Sequence, residues 1–383
     1  MVVDRDVKEG MSWWEFEHFL KDVDYSIIGS GIVGLSTAIE LKNIDPNSKV
    51  LIIDKKTLPI GASTKNAGFA CFGSISEILD DFETYGEAIC QKLIQMRWEG
   101  LSALKTRVSA HKMNYEESPG AEFFSSNEEE EIYRSKISWA NSFVGSIVGN
   151  ENCFHSQIGD FGYEIVNNLE GCLNPQLMMS ELENIARKLG VLFMSGVEVN
   201  KINYKNKILK SSVGSLTFNK LFICTNGFSQ MLLPNKDIQP ARNQVLITNR
   251  IPDFRLSKCY HMNKGYVYFR EYDGRLLIGG GRHIDKNGEA TTKFGNTEAI
   301  TSYLNGIIQK HIFSDQPYEI EHCWSGILGV GESKMPIVKM IEQDVCVAVR
   351  MGGMGVAIGS FIGKVASSMI QSIDNRAHQL YVS

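Results

Sequence analysis

The stretch YSIIGSGIVGLSTAIELKNIDPNSKVLIIDKK, residues 25–56, decides the fold. Its first apolar run, Tyr25–Ile28, predicts a short buried strand. Apolar residues then recur at helical spacing over Ile32–Leu41, which predicts a helix. A second apolar run, Val50–Ile53, predicts another buried strand. The stretch therefore predicts one β-α-β unit of a parallel sheet.

A GxGxxG motif lies in the turn between the first strand and the helix. In this pattern Gly29 allows the turn, Gly31 lets a pyrophosphate approach the backbone, and Gly34 lets the helix pack on the strand. The anion then lies at a helix N-terminus, where free N–H groups and the helix dipole favour it. Asp54 ends the second strand, where a carboxylate binds a ribose hydroxyl. The motif predicts a dinucleotide site but does not by itself distinguish NAD from FAD.

Further features favour FAD. The motif occurs once, whereas flavoenzymes that use a pyridine nucleotide generally need a second dinucleotide site. The loop GASTKNAGFACFGS, residues 61–74, follows closely and offers backbone N–H groups and short polar side chains. GGMGVAIGS, residues 352–360, is another glycine-rich turn before a helix. A helix N-terminus there would stabilise the anionic reduced flavin ring.

Composition limits the class of protein. At 383 residues the chain is long enough for two lobes, or for one large α/β domain with an insertion. The net charge of −5 does not indicate a nucleic-acid-binding protein. None of the 8 cysteines has CxxC spacing, and no His/Cys cluster has the spacing of metal ligands. We therefore predict no metal site and no thioredoxin-like redox pair.

The N-terminal segment bears on localisation. Residues 1–22 are charged throughout and lack the apolar core of a signal peptide. No window is apolar and long enough for a transmembrane helix. We therefore expect reduced thiols and a cytoplasmic protein. We expect Trp13, Trp14 and Phe19 to pack onto the domain, which does not favour peripheral membrane contact. The sequence does not predict an oligomeric state.

Patterns along the rest of the chain suggest separate layers. Residues 75–150 are mostly helical in pattern. A helix is predicted from Pro175 to about Gly190, followed by strands. Strand patterns cluster at residues 240–285, away from helices, and predict a separate antiparallel sheet.

The order of these segments resembles the D-amino-acid oxidase superfamily, which includes glycine oxidase, sarcosine oxidase and D-amino-acid dehydrogenase. The resemblance covers residues about 24–370 and is carried by the β-α-β unit and by GASTKNAG, LFICTNG, PARNQ, GRLLIGGG, HCWSGI and GGMGVA. It implies an α/β fold in which a Rossmann-type FAD-binding lobe is interleaved with an α+β substrate lobe on an antiparallel sheet. The implied FAD-binding lobe comprises residues 1–85, 161–238 and 321–383, and the substrate lobe comprises residues 86–160 and 239–320.

The motifs and the resemblance together define a predicted FAD contact set. The resemblance places the Val199 backbone against the adenine, residues 225–227 near the pyrophosphate, and residues 353–356 under the flavin pyrimidine. The predicted FAD contacts are Gly29, Gly31, Ile32, Val33, Gly34, Asp54, Lys55, Gly61, Ala62, Ser63, Lys65, Asn66, Ala67, Gly68, Val199, Thr225, Asn226, Gly227, Gly353, Met354, Gly355 and Val356.

The resemblance also implies candidate substrate residues. Amino-acid oxidases of this type often place an Arg after a W-x-G motif to clamp the substrate carboxylate, but Leu328 stands there. Arg350 stands where family members commonly have Gly. It either replaces the clamp, pairs with a carboxylate or contacts FAD. In GYVYFRE, Tyr266, Tyr268 and Arg270 share one strand face, which either roofs the substrate site or faces solvent.

The leading functional hypothesis is an FAD-dependent oxidoreductase. It would oxidise the C–N bond of a small amine or amino acid by hydride transfer to flavin N5, with O2 or another acceptor taking the electrons. Three alternatives stay open. The same fold could oxidise a C–O bond of a hydroxy acid or glycerol phosphate, the chain could be a non-catalytic flavoprotein, or it could be an NAD-dependent dehydrogenase.

Overall fold

The computed structural model describes residues 10–58, 60–124, 126–233 and 237–371. They form two compact units, and the chain passes from one unit to the other after residues 64, 175, 240 and 327. The predicted lobes change instead after residues 85, 160, 238 and 320. The first unit contains the GxGxxG motif, and the second contains most of the predicted antiparallel sheet.

The strands and the helices are numbered separately in chain order. The strands are β1 (Tyr25–Ile28), β2 (Val50–Asp54), β3 (Phe69–Ala70), β4 (Gly120–Phe123), β5 (Phe154–Gly159), β6 (Gly162–Asn167), β7 (Gly171–Cys172), β8 (Leu192–Ser195), β9 (Val199–Asn203), β10 (Ile208–Ser211), β11 (Gly214–Thr217), β12 (Lys220–Ile223), β13 (Gln239–Thr248), β14 (Cys259–Met262), β15 (Val267–Tyr272), β16 (Arg275–Gly280), β17 (Ile320–Val330), β18 (Ile337–Glu342) and β19 (Val345–Val349). The α-helices are α1 (Trp13–Glu15), α2 (Ile32–Ile44), α3 (Ala62–Lys65), α4 (Ile75–Tyr85), α5 (Glu87–Arg107), α6 (Asn127–Arg134), α7 (Ile137–Val148), α8 (Pro175–Lys188), α9 (Glu298–Ile307) and α10 (Gly355–Gln371).

The first unit is built on a six-stranded sheet in the order β18-β19-β12-β1-β2-β8. Strand β1 pairs in parallel with β2 on one side and β12 on the other, so the chain changes direction across the sheet at β1. Ligands of open α/β sheets bind beyond the carboxyl ends of the strands at such a switch point. The predicted β-α-β unit is confirmed, and it places the GxGxxG turn at that point.

Helices α2 and α10 pack closely in the first unit. A Cβ at Gly359 of α10 would lie 2.5 Å from the Ile32 side chain, and one at Gly363 would lie 2.7 Å from the Thr37 nitrogen. Because Gly359 lies early in α10 and Ile32 begins α2, the N-termini of the two helices lie close to each other.

The second unit is built on an eight-stranded sheet in the order β17-β13-β16-β15-β14-β4-β6-β5. The predicted antiparallel sheet is confirmed for β15 with β14 and with β16. The sheet also contains β4, from outside residues 240–285, and this strand pairs in parallel with β14. Strand β4 also interrupts residues 75–150, which are otherwise helical in α4, α5, α6 and α7 as predicted. No hairpin turn constrains the direction of β4 and β14, because they lie far apart in the sequence.

The predicted packing of the N-terminal aromatic residues is wrong in part. Trp13 and Trp14 are 60% and 77% exposed, whereas Phe16 and Phe19 pack against the core of the first unit. Leu20 is buried in the same core. The two tryptophans lie in α1, which is only one turn long, whereas the residues that pack on the core lie in the π-helical turn that follows it, Phe16–Leu20. Among the described residues, we find no helix with the length and apolar character that a membrane span requires.

Candidate functional site

The three motif glycines lack side chains for different reasons. Gly29 has φ +106°, and a Cβ there would lie 2.7 Å from the Cys224 carbonyl oxygen. A Cβ at Gly34 would collide with the carbonyl oxygen of Gly29. At Gly31, however, the one atom of the described residues within 4 Å of a Cβ, apart from the adjoining residues, would be Ser63 Oγ, at 3.1 Å. The fold requires glycine at the first and third positions, while the open space beside Gly31 fits the approach of a pyrophosphate.

The start of α2 offers backbone donors beside that space. Gly31 is the N-cap residue and supplies no side-chain cap. The Ile32 N–H donates to Ser63 Oγ at 3.1 Å, which ties the predicted loop to the helix start within the first unit. Unpaired N–H groups and the positive end of the helix dipole favour an anion at this position.

Asp54 is held at the carboxyl end of β2. Its Oδ2 accepts hydrogen bonds from the Ser30 N–H at 2.8 Å and the Ser30 hydroxyl at 2.7 Å. Its Oδ1 accepts from the Lys56 N–H at 3.1 Å. A carboxylate has about four lone-pair positions, so these bonds leave capacity for a ribose hydroxyl. Sequence reasoning missed Ser30, although it lies inside the GxG turn.

The second glycine-rich turn leads into α10. Gly352 and Gly353 have φ values of +60° and +92°, a conformation that favours glycine. The nearest atom to a Cβ at Gly353 would be Leu328 Cδ1 at 3.8 Å, so this turn also has open space beside it. Met354 precedes α10, and Gly355 and Val356 begin it. Both glycine-rich turns therefore combine an uncrowded backbone with a helix N-terminus, and these features fit the phosphates and ring of FAD.

The remaining first-unit residues of the predicted FAD set have contacts within that unit. Asn226 Oδ1 accepts from the N–H groups of Arg350 and Met351, at 3.1 and 3.2 Å, and so ties β12 to β19. Lys55 lies over the Phe228 ring, 4.0 Å from its centroid. Val199 begins β9 and is buried. Their contacts with FAD stay predictions.

Residues 65–68 of the predicted loop belong to the second unit, where backbone hydrogen bonds hold them. The Lys65 carbonyl accepts from Trp324 Nε1 at 3.0 Å, and the Ala67 carbonyl accepts from Arg270 Nε at 2.9 Å. The Asn66 side chain accepts from the Gly68 N–H at 2.9 Å. The loop is therefore fixed in place by its own unit.

The alternation predicted for β15 is confirmed. Val267 and Phe269 lie in the core of the second unit, and Tyr268 packs on the other face with Phe69 and Trp324. Arg270 is 6% exposed, which excludes a solvent-facing position for that residue, whereas Tyr266 and Tyr268 are partly exposed. These contacts cover a polar strand face with apolar groups of the same unit.

Tyr268 carries the polar chemistry of this face. Asn243 Nδ2 donates to the Tyr268 hydroxyl at 2.7 Å. Burial raises the pKa of Tyr268 despite that hydrogen bond, so its phenol stays protonated at neutral pH. Gly279 lies opposite on β16, and a Cβ there would lie 2.6 Å from the Tyr268 ring. The Tyr266 ring lies against Arg282, whose guanidinium carbon is 5.4 Å from the ring centroid.

The two arginines among the predicted substrate residues both bind backbone carbonyls. Arg270 donates to the Ala67 and Leu173 carbonyls, at 2.9 and 3.1 Å. Arg350 is buried, has φ +64°, and donates to the Met335 and Asp237 carbonyls, at 2.9 and 3.4 Å. This structural role was not among the alternatives weighed from the sequence. The role of either arginine toward a substrate stays a prediction.

Comparison with known proteins gives a family match over most of the chain. The sequence model of the DAO family, described as "FAD dependent oxidoreductase", matches residues 24–369. A curated relative, the "Probable oxidoreductase OrdL" of Haemophilus influenzae, is 21% identical over 93% of this chain and 85% of its own length.

Solved structures share the fold at low identity. Glycine oxidase from Geobacillus kaustophilus has a TM-score of 0.74 and 17% identity, covering 93% of this chain and 97% of that one. L-proline dehydrogenase from P. horikoshii has a TM-score of 0.71 and 17% identity, covering 92% and 94%.

Proposed function

Since the chain belongs to the DAO family of FAD-dependent oxidoreductases, and is therefore an FAD-dependent enzyme, we propose that it oxidises the C–N bond of a small amine or amino acid. The observation that supports FAD binding is the open space beside Gly31. Among the described residues, only Ser63 Oγ would lie near a Cβ there, so the packing of the protein does not explain why this residue is glycine. When bound, FAD supplies the chemistry of a hydride acceptor at its N5 atom.

We assign the first unit to most of the FAD contacts. The turn at residues 29–34 and the start of α2 would bind the pyrophosphate, and Asp54 the ribose. The turn at residues 352–355 and the start of α10 would lie under the flavin pyrimidine and stabilise negative charge there. The other predicted FAD contacts are Lys55, residues 61–68, Val199 and residues 225–227.

We assign substrate contacts to the polar face of β15 in the second unit. Tyr268 is a neutral phenol whose oxygen already accepts from Asn243, so its own hydrogen serves as a donor that orients a polar substrate group. Phe69 and Trp324 pack with Tyr268 in one apolar cluster on this face. We assign no general base, because an amine that binds in its neutral form does not need one.

The similarity to glycine oxidase and L-proline dehydrogenase favours a C–N bond as the reacting bond. One of these names is that of an oxidase and the other that of a dehydrogenase, so the fold accommodates either kind of electron acceptor. We therefore propose O2 or another acceptor without choosing between them. The C–O alternative rested partly on Arg350 as an anion clamp, and the observed bonds of that guanidinium to backbone carbonyls weaken this support.

The visible spectrum of the purified protein tests the proposal. The FAD-loaded protein is kept anaerobic, and pooled amines and amino acids are added, with pooled hydroxy acids and glycerol phosphate as the control. We expect the first pool to bleach the flavin and to release ammonia or an amine in proportion. Bleaching by the second pool alone would indicate C–O chemistry. A flavin that only dithionite reduces would indicate a non-catalytic flavoprotein.

A further inference from the structure

A cluster of a thiol, a carboxylate and an imidazole lies in the second unit, outside the predicted FAD set. The sulfur of Cys71, a carboxylate oxygen of Glu170 and a ring nitrogen of His261 all lie within 4.8 Å of one another. Cys71 directly follows β3 and Glu170 directly precedes β7, and these strands pair with Ala70 opposite Gly171. Strand pairing therefore brings together two residues that are 99 positions apart in the sequence.

The protein orients the Glu170 carboxylate. Its Oε1 accepts from the N–H groups of Phe72 and Gly73, both at 3.3 Å, and from Asn167 Nδ2 at 3.3 Å. Glu170 Oε2 lies 3.0 Å from His261 Nε2. The same oxygen occupies the space that a Cβ at Gly120 would need. Hydrogen-bond donors outside the cluster thus hold Oε1, while Oε2 lies within the cluster. Carboxylates that bind metal ions are commonly held in position by hydrogen bonds of this kind.

Further carboxyl groups lie near the cluster. Glu122 lies opposite His261 on β4, and burial raises its pKa. Glu77 interacts with both Cys71 and His261. The nearby guanidinium of Arg97 is paired with Glu77 at 3.3 Å and with Asp81 at 3.4 Å.

These charges act on the two groups that carry protons. Burial, together with Glu170 and Glu77, raises the pKa of the Cys71 thiol well above its usual range. Burial lowers the pKa of His261, but Glu170 and Glu122 outweigh it, so that the pKa is raised overall.

We propose that Cys71, Glu170 and His261 bind a divalent transition-metal ion of the zinc type. Thiolate, imidazole and carboxylate are the donors that zinc takes in proteins, and three protein ligands leave a fourth position open. In a tetrahedral site the donor atoms lie about 3–4 Å apart, close to the 3.0 Å between Glu170 and His261. Cys71 is half-buried, which gives the ion an approach to the two buried ligands.

Binding is a ligand exchange without a redox step. Metal–sulfur, metal–nitrogen and metal–oxygen bonds form. The Cys71 thiol proton passes to solvent, and the hydrogen bond between His261 and Glu170 is lost. Formation of the thiolate ligand therefore releases at least one proton for each ion bound. The flavin takes no part in any of these changes.

Titration of the FAD-loaded protein with Zn²⁺ and Co²⁺ tests the site. We expect one ion per chain by equilibrium dialysis and, for Co²⁺, ligand-field absorption at longer wavelengths than the oxidised flavin band. Cys71→Ala should weaken binding by at least about 100-fold and abolish that absorption, since even an outer-shell change costs about 10–100-fold. The matched control is Cys153→Ala, which removes another buried cysteine of the same unit outside the cluster.

A measurement on the unmodified protein covers the case in which the variant does not fold. Zn²⁺ should protect Cys71 from alkylation, as read by peptide mass spectrometry, and should release at least one proton per ion in weakly buffered solution. The proposal is overturned if the unmodified protein shows no saturable binding, or if Cys71→Ala binds Co²⁺ with an unchanged spectrum. These measurements do not depend on turnover, so they are independent of the proposed amine oxidation.

Discussion

Two regions of the molecule present polar groups in different ways. The glycine turn at residues 29–34 presents backbone groups, whereas the polar face of the second unit's sheet, which carries Tyr268 and Arg270, presents side chains. In the turn, backbone N–H groups at the start of α2 are the presented groups, and glycine keeps them accessible. On the sheet face, side chains are presented, and each is fixed by a distant partner. The Arg270 guanidinium, for example, binds carbonyls that are 203 and 97 residues away. A backbone site is therefore local in sequence, whereas a side-chain site is not.

The largest expected effect comes from separating the two kinds of glycine in the turn. Gly31→Val should weaken FAD binding by at least about 100-fold, because the branched side chain would fill the space left for the pyrophosphate. The fold should persist, since Ser63 Oγ is the one atom of the described residues near that Cβ, apart from the adjoining residues. The measurements are flavin content by absorbance and the urea unfolding curve of the apoprotein.

Gly34→Val is the matched control for that variant. A Cβ there would collide with the Gly29 carbonyl, so this protein should lose both its FAD and its cooperative unfolding. If Gly31→Val retained stoichiometric FAD, the turn would not be the pyrophosphate site, and the contrast between the two regions would fail.

The same contrast explains which features the sequence predicted. The β-α-β unit and helix α8 follow from short patterns, and both are present. The parallel pairing of β4 with β14 and the cluster of Cys71, Glu170 and His261 join segments about a hundred residues apart or more. No local pattern encodes which strand or residue will be opposite another, since the tertiary fold decides it.

Arg350 shows how the same limit affects a single side chain. The sequence left three roles open for it, which were a substrate clamp, a partner of a carboxylate and a contact of FAD. Its observed partners are the carbonyls of Met335 and Asp237, 15 and 113 residues away. The fold uses this guanidinium to bind backbone carbonyls, and only the structure shows which carbonyls lie within its reach.

The next effect in size is the removal of that guanidinium. Arg350→Ala should lower the free energy of unfolding by about 3 kcal/mol, because two charged hydrogen bonds are lost and the carbonyl of the buried Met335 loses its donor. Arg350→Lys should recover only part of this loss, since an ammonium cannot span two carbonyls as a guanidinium does. Urea unfolding and steady-state kinetics are measured together. Unchanged stability with a KM raised tenfold would instead support the clamp predicted from the sequence.

The smallest expected effect is a pH dependence carried by a buried ion pair of the same eight-stranded sheet, on the face opposite to Tyr268 and Arg270. Arg242 on β13 donates from Nε and Nη2 to the two oxygens of the buried Glu289, at 2.9 and 2.8 Å. Burial raises the pKa of Glu289, but Arg242 outweighs it and the pKa falls below its ordinary value of 4.5. In the acid range the unfolded chain then binds more protons than the folded one, so the stability from this pair is complete above pH 4.5 and is lost as the pH falls through the lower, folded value.

Glu289→Gln should therefore lower the free energy of unfolding by about 2 kcal/mol at pH 7, since an amide keeps one acceptor but not the charge. The deficit should shrink as the pH falls below about 4.5, because the unmodified protein loses the same interaction by protonation. Glu117→Gln, an exposed change of the same charge in the same unit, should give no such convergence. Parallel stability curves for Glu289→Gln and the unmodified protein would mean that the surrounding backbone, and not the Glu289 carboxylate, holds the Arg242 guanidinium in place. A polar site of this sheet would then depend on the backbone, as the glycine turn does.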